Sequence, residues 1–289
     1  MSVELPVRAV PEAGLSRTAR HGSWLGRLIR TGITASGIWG YFFLYAPILI
    51  LIVFSFNASR FVSAWEGFSF RWYGELFKDA AMVAALKNSL IVAVASTLLS
   101  TVFGTMVSLA MERHRFPAKV AFDALLYLPI IIPDIAMAVM LLLFFVLTKF
   151  GLSLMTIIIS HVAFNISFVA VVVRARLVGF DRSLEEAAQD LGANELQTFW
   201  HVTLPLLMPG ILGGALLAFT LSLDDFVITF FTAGVGATTL PLRIYSMVKL
   251  GVTPEINAIS TLLVVASMSL LMASLFIQRK GGGSPADIL

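Results

Sequence analysis

EAAQDLGANELQTFWHVTLP, residues 186–205, lies in the one long charged interruption between two apolar runs, and its reading decides the fold. Ser183 followed three residues later by Glu186 reads as a capping box, with the hydroxyl taking the Glu186 amide and the carboxylate reaching back. A short helix from Leu184 to Leu191 follows, carrying the small residues Ala187 and Ala188. Gly192 stops it, because glycine enters the left-handed region without steric cost. A second short helix from about Glu195 leads to Pro205, where the chain re-enters an apolar phase. Small residues on the first helix let another surface approach its backbone closely. The segment reads as a handle projecting from a membrane-embedded body.

The rest of the chain supplies that body. Of 289 residues 58% are hydrophobic and only 13% charged, too apolar for a soluble domain of this length. There is no cysteine, which excludes disulfides and thiolate metal sites. Crossing a ~30 Å hydrocarbon core takes about 20 residues of helix. Uncharged runs at 31–59, 88–111, 150–173 and 256–278 meet that length, and two more, 124–147 and 207–232, carry acids. The reading is an all-α polytopic membrane protein with six transmembrane helices, at about 36–57, 88–111, 124–147, 150–173, 207–232 and 256–277. Residues 1–30 read as a disordered cytoplasmic tail, 178–205 as the handle and 279–289 as a second cytoplasmic tail. The first run is an anchor, being too long for a removable leader and lacking a small-residue cleavage pattern. A short interfacial helix is expected around Tyr73 to Phe77, in an aromatic-rich outer loop.

With the N-terminus inside, 13 of the 20 Lys and Arg fall on the cytoplasmic side and seven outside, the arrangement that the positive-inside rule favours. That orientation also puts the 186–205 handle in the cytoplasm. No basic patch is interleaved with aromatics, so the net charge of +3 reads as a topology signal and nucleic acid is excluded as a partner.

Catalytic patterns are missing. The chain has no GxxxxGK[ST] phosphate loop, no HExxH and no G-x-S-x-G turn, and its four histidines are dispersed. No catalytic residue, resident cofactor or metal is expected. His161 and Asn165, one helical turn apart, read as an interhelical hydrogen-bonding pair.

Three carboxylates sit inside apolar spans, where an ionised Asp costs at least ~2.5 kcal/mol at a helix centre. Asp134 follows Pro133, which breaks the helical ladder. Asp224 and Asp225 are neighbours, placed about 100° apart if on one helix. Ser222, Thr220 and Thr229 extend the polarity. Either the acids cap and bond neighbouring helices, or at least one of the pair lines a path together with Asp134. With no Lys or Arg in the spans, such a path favours a cation. Phe226 and Tyr127 offer aromatic faces for it, and Glu255 beside Pro254 is an entry-side candidate.

The 186–205 segment resembles the EAA signature of ABC-importer permeases: E-A-A, three residues, G, nine residues, I-x-L-P, with Val202 in place of Ile. Phe68–Tyr73, Pro133–Ile135, Phe180–Glu185, Ser222–Val227 and Thr239–Ala258 are similar to the permease subunits of spermidine/putrescine ABC importers. The resemblance runs from about Tyr41 to Ile277. It implies a type I importer with a MetI-like permease fold in a bacterial inner membrane, both termini cytoplasmic. The implied partners are a second, different permease chain, two ATPase subunits that bind ATP and Mg, and an extracytoplasmic binding protein. Glu186, Ala187, Ala188 and Gly192, with Pro205, then belong to the coupling segment that docks on the ATPase. Asp134, Asp224, Asp225, Phe226 and Glu255 belong to the cargo path. An amino-acid or opine importer of the same architecture is the nearer alternative. An ion-coupled secondary transporter is the more distant one, and it leaves the EAA spacing unexplained.

Overall fold

The computed structural model describes residues 24–60, 64–251 and 253–280, and they are almost wholly helical. The chain divides into two compact units, one ending at Ile50 and the other beginning at Leu51. Helix α1, Trp24–Phe54, begins within the stretch read as tail, so Trp24 to Arg30 are helical. The rest of the N-terminal tail and residues 281–289 lie outside the described residues.

The second unit is built on three long helices: α3 (Ala80–Arg113), α6 (Leu154–Val178) and α9 (Leu204–Asp224). Their mutual approach is set by small residues. A Cβ at Gly104 would lie 2.7 Å from the Val169 Cβ, and one at Gly214 would lie 3.2 Å from Val169 Cγ1, so Val169 of α6 is seated between two glycines. Close backbone packing replaces the hydrophobic drive that lipid removes. Val169, Val173, Leu177, Leu207, Ile211 and Ala218 fill the seam, and the Ser108 hydroxyl of α3 donates to the Ala170 carbonyl at 2.8 Å.

The run read as a span over 124–147 is two helices, α4 (Lys119–Ile131) and α5 (Asp134–Leu147), bent by 110°. Pro133 has no N–H to continue the ladder, and Ile132 and Pro133 are extended. The run over 207–232 is also interrupted. α9 ends at Asp224, Asp225 is extended (φ −64°, ψ 125°), and a short α10 (Val227–Thr232) follows. Asp224 therefore ends α9 while Asp225 stands in the break, so the two do not share one helix, a correction to the 100° placement.

Among the described residues four helices are long and apolar enough to cross a membrane, with the bent pair as a fifth candidate. A shorter apolar stretch, Pro254–Leu270, begins α12 (Pro254–Lys280). The short helix expected around Tyr73 to Phe77 is α2 (Arg71–Leu76), packed through Trp72 and Leu76 against Met82, Leu240, Ala258 and Ile259. The loop after α10 leads to α11 (Leu240–Leu250), and Asn88 of α3 donates to the carbonyls of Gly236 and Thr238 at 3.1 and 2.9 Å. The Asp79–Arg243 pair, 3.2 Å apart, ties the start of α3 to α11.

Candidate functional site: a handle and an acidic cavity

The handle comprises α7 (Ser183–Asp190) and α8 (Glu195–Thr198). The expected Ser183–Glu186 capping box does not form. Helix α7 starts one residue earlier, and the Ser183 amide donates to Asp181 Oδ1 at 2.9 Å. This bond holds the Asp181 carboxyl below its usual range. Asp181 stands two residues ahead of that amide and closes a local Asx turn before Ser183 can cap.

The stop behaves as read. Gly192 has φ +92°, its amide reaches the Gln189 carbonyl at 2.8 Å, and the Ala193 amide reaches Ala188 at 3.1 Å. That is a Schellman ending, open to glycine with no Cβ penalty. The capping box of the segment lies instead at Asn194 and Gln197, whose side chains each accept the other's amide at 2.8 and 2.9 Å. After α8 the chain does not break before Pro205. It continues through a π-helical turn, Phe199–Thr203, directly into α9. The wider turn accommodates the carbonyl that the missing Pro205 N–H leaves without its i−4 partner.

Glu186 and Ala187 are exposed, and so are Leu184, Leu191 (90%), Leu196 (67%) and Trp200 (57%). Four large apolar side chains on and beside two short helices are thus uncovered, and Glu186 and Asp190 lie on the opposite side of α7 from Leu184. The neighbouring Glu185 is turned the other way. Its carboxylate accepts from the Arg113 guanidinium at the end of α3 and from the Thr203 hydroxyl at the end of the π turn. Sequence reading missed Glu185, because its partners lie 72 and 18 residues away. Nearby, Arg174 of α6 bonds Asp123 of α4 and lies 3.4 Å from Glu112 of α3. The loops at 112–123 and 174–205 thus meet at one end of the bundle.

A cavity of about 330 Å³ brings together Asp134, Asp224, Asp225 and Phe226. They arrive from α5, the end of α9 and the break that follows it. Phe164 and Phe168 of α6 complete an aromatic wall, together with Pro129 and Met137. No Lys or Arg is among its lining residues. Tyr127 does not line it. Glu255 is also absent: it lies in a separate cleft with Arg60, Arg71, Glu75, Lys78 and Asp79. Glu255 begins α12, whereas the break at 225–226 faces α5 and α6, so the two never converge.

The three acids differ in circumstance. Asp134 and Asp224 are exposed to the cavity. Asp225 accepts from the Thr229 amide and hydroxyl, both at 2.8 Å, and from the Ile228 amide at 3.2 Å, capping α10. Its Oδ2 also meets His161 Nε2 at 3.2 Å. One turn along α6, Asn165 donates to the Ser222 hydroxyl at 2.7 Å, which meets Ser96 of α3 at 2.9 Å. His161 and Asn165 are therefore an interhelical pair, as read, and they anchor the break. Among the described residues no cluster of three potential ligands is placed to hold a metal.

The sequence profile of the family described as "Binding-protein-dependent transport system inner membrane component" matches residues 100–280. Spermidine/putrescine transport system permease protein PotC of Escherichia coli (strain K12) is 42% identical over 91% of this chain and 99% of its own. Putrescine transport system permease protein PotI of the same organism is 45% identical over 78% and 83%. Among solved structures, a chain of a bacterial ABC transporter involved in the import of the acidic polysaccharide alginate superposes with a TM-score of 0.68. It is 19% identical and covers 88% of this chain and 95% of that one. A chain of the MetNI methionine ABC transporter, in an inward-facing conformation, gives 0.57 at 20% identity, covering 74% and 99%. These structures share the fold, while the profile and the relatives carry the assignment. The chain belongs to the binding-protein-dependent transport system inner membrane components, as a permease subunit of an ABC importer.

Proposed function

We propose that this permease imports polyamines and that cargo passes the Asp134–Asp224 cavity. The observation that carries the reading is three carboxylates and three phenylalanines around one cavity without a single cationic side chain. A polyamine is a flexible chain of ammonium groups, each needing a counter-charge when stripped of water. Asp134 and Asp224 supply that charge, and Phe164, Phe168 and Phe226 supply ring faces for cation–π contact. Asp225 stays engaged with α10 and His161. The names of the two relatives point to the same cargo.

The chain crosses the bacterial inner membrane six times with both termini in the cytoplasm. It pairs with a second permease, two ATPase subunits that hold ATP and Mg, and an extracytoplasmic binding protein. The exposed face around Glu186, Ala187, Ala188 and Leu191, hinged at Gly192 and continued to Pro205, receives the ATPase.

The test is uptake of labelled putrescine and spermidine by the reconstituted importer with its binding protein. Uptake driven by ATP, and reduced in Asp134→Asn and in Asp224→Asn with assembly intact, supports the reading. Uptake of a neutral or zwitterionic amino acid in preference to either polyamine, or unchanged uptake in both variants, rejects it.

A further inference from the structure

We propose that Glu185, the residue before the Glu186-Ala187-Ala188 run, is a positioning residue through which movement of the docking helix reaches the membrane bundle. This rests on the reading of residues 186–205 as the ATPase-docking segment and deepens it.

Helix α7 has eight residues, none of them buried. A helix that short is marginal alone and takes its position from its attachments. Its chain connections run through Gly179 and Gly192, with Phe180 packed beside the α6–α9 seam. The firm attachment is the Glu185 carboxylate, half-buried and shared by Arg113 and Thr203. Charge-assisted bonds of this kind, sheltered from water, are among the strongest side-chain contacts. Each partner is the last residue of its element: Arg113 of α3 and Thr203 of the π turn.

What lies beyond those partners gives the tie its consequence. From Thr203 the chain runs without interruption through α9 to Asp224, about 30 Å at 1.5 Å per residue. A rod of that length delivers a push at its base to the wall of the acidic cavity at its tip. Arg113 is itself braced, because Arg174 bonds both Glu112 and Asp123 and so binds the ends of α3, α4 and α6 together. Arg182 adds a bond to the Glu112 carbonyl at 3.4 Å. The tie thus joins the docking helix at one carboxylate to the end of α3 and to the π turn that runs into α9.

The experiment uses the complete importer in proteoliposomes, with ATP hydrolysis and cargo uptake measured on the same sample. In Glu185→Gln, ATPase association holds and the cargo moved per ATP falls by about tenfold, a coupling loss within the usual allosteric range. Thr203→Val, which keeps the shape and the Arg113 pair, lowers the same ratio by a smaller factor. It is the variant to read if Glu185→Gln fails to assemble. An unchanged ratio in an assembled Glu185→Gln complex, or in Thr203→Val when Glu185→Gln does not assemble, overturns the proposal. The docking reading fails separately, by normal ATPase association in Glu186→Lys.

Discussion

Asp225 accepts from two amides and a hydroxyl at the start of α10 and from His161, so it is an organising group of the break. Asp224, one residue earlier, is open to the cavity. Asp225→Ala strips a cap and leaves the Ile228 and Thr229 amides without their side-chain acceptor, at a cost of ~1–3 kcal/mol. We expect a lowered melting temperature of the detergent-solubilised complex, with uptake falling in proportion to the folded protein. Asp224→Asn should leave melting unchanged and cut polyamine uptake by about tenfold, the loss of one charge-assisted bond. Equal melting temperatures for the two variants would contradict this division. Both acids stood out in the sequence as charges in an apolar run, but their difference did not. No Gly or Pro marks the break between Leu223 and Val227, and His161 is 64 residues away from the carboxylate that it steadies.

Local chemistry writes some element boundaries plainly. Gly192 is such a case: its φ of +92° is costly for any residue with a Cβ, by about 1–2 kcal/mol. Gly192→Ala is therefore expected to loosen the end of α7 and weaken co-purification of the ATPase, without lowering the amount of permease in the membrane. The start of α7 was misread because two capping groups compete there, and Asp181 reaches the chain before Ser183. At the other end of the molecule Asp79 caps α3 through the Ala81 amide at 2.8 Å and pairs with Arg243. Burial opposes its ionisation, but the Ala81 and Arg243 bonds prevail and hold the carboxyl below its usual range. Its stabilisation is therefore present above the unfolded value of about 3.9 and disappears as pH falls through the lower folded value. Asp79→Ala should lower the melting temperature at pH 7 by the equivalent of ~1 kcal/mol. The gap to the unsubstituted protein should close below about pH 4.

At the scale of the whole molecule, the handle and the acidic cavity occupy opposite ends of α9. Glu186→Lys places a cation on the docking face, and we expect it to abolish ATP-driven uptake while the chain remains in the membrane. Quantitative immunoblotting beside a transport assay measures both. The membrane-spanning character and the handle were legible because apolar length and local spacing encode them. The 110° bend at Pro133 was legible only as a break, since its angle depends on how α5 packs against α10 through Met137, Ala138 and Ile228. The π turn at Phe199–Thr203 left no mark, yet it sets the rotational phase between α8 and α9. Tightening that turn into ordinary α-helix with every residue kept would spin everything upstream by about 100° about the axis. The leucines and Trp200 would then confront the wrong neighbour while every contact near the carboxylates stayed in place. One surplus amino acid acts as the indexing tooth that keeps the importer's two working faces in register.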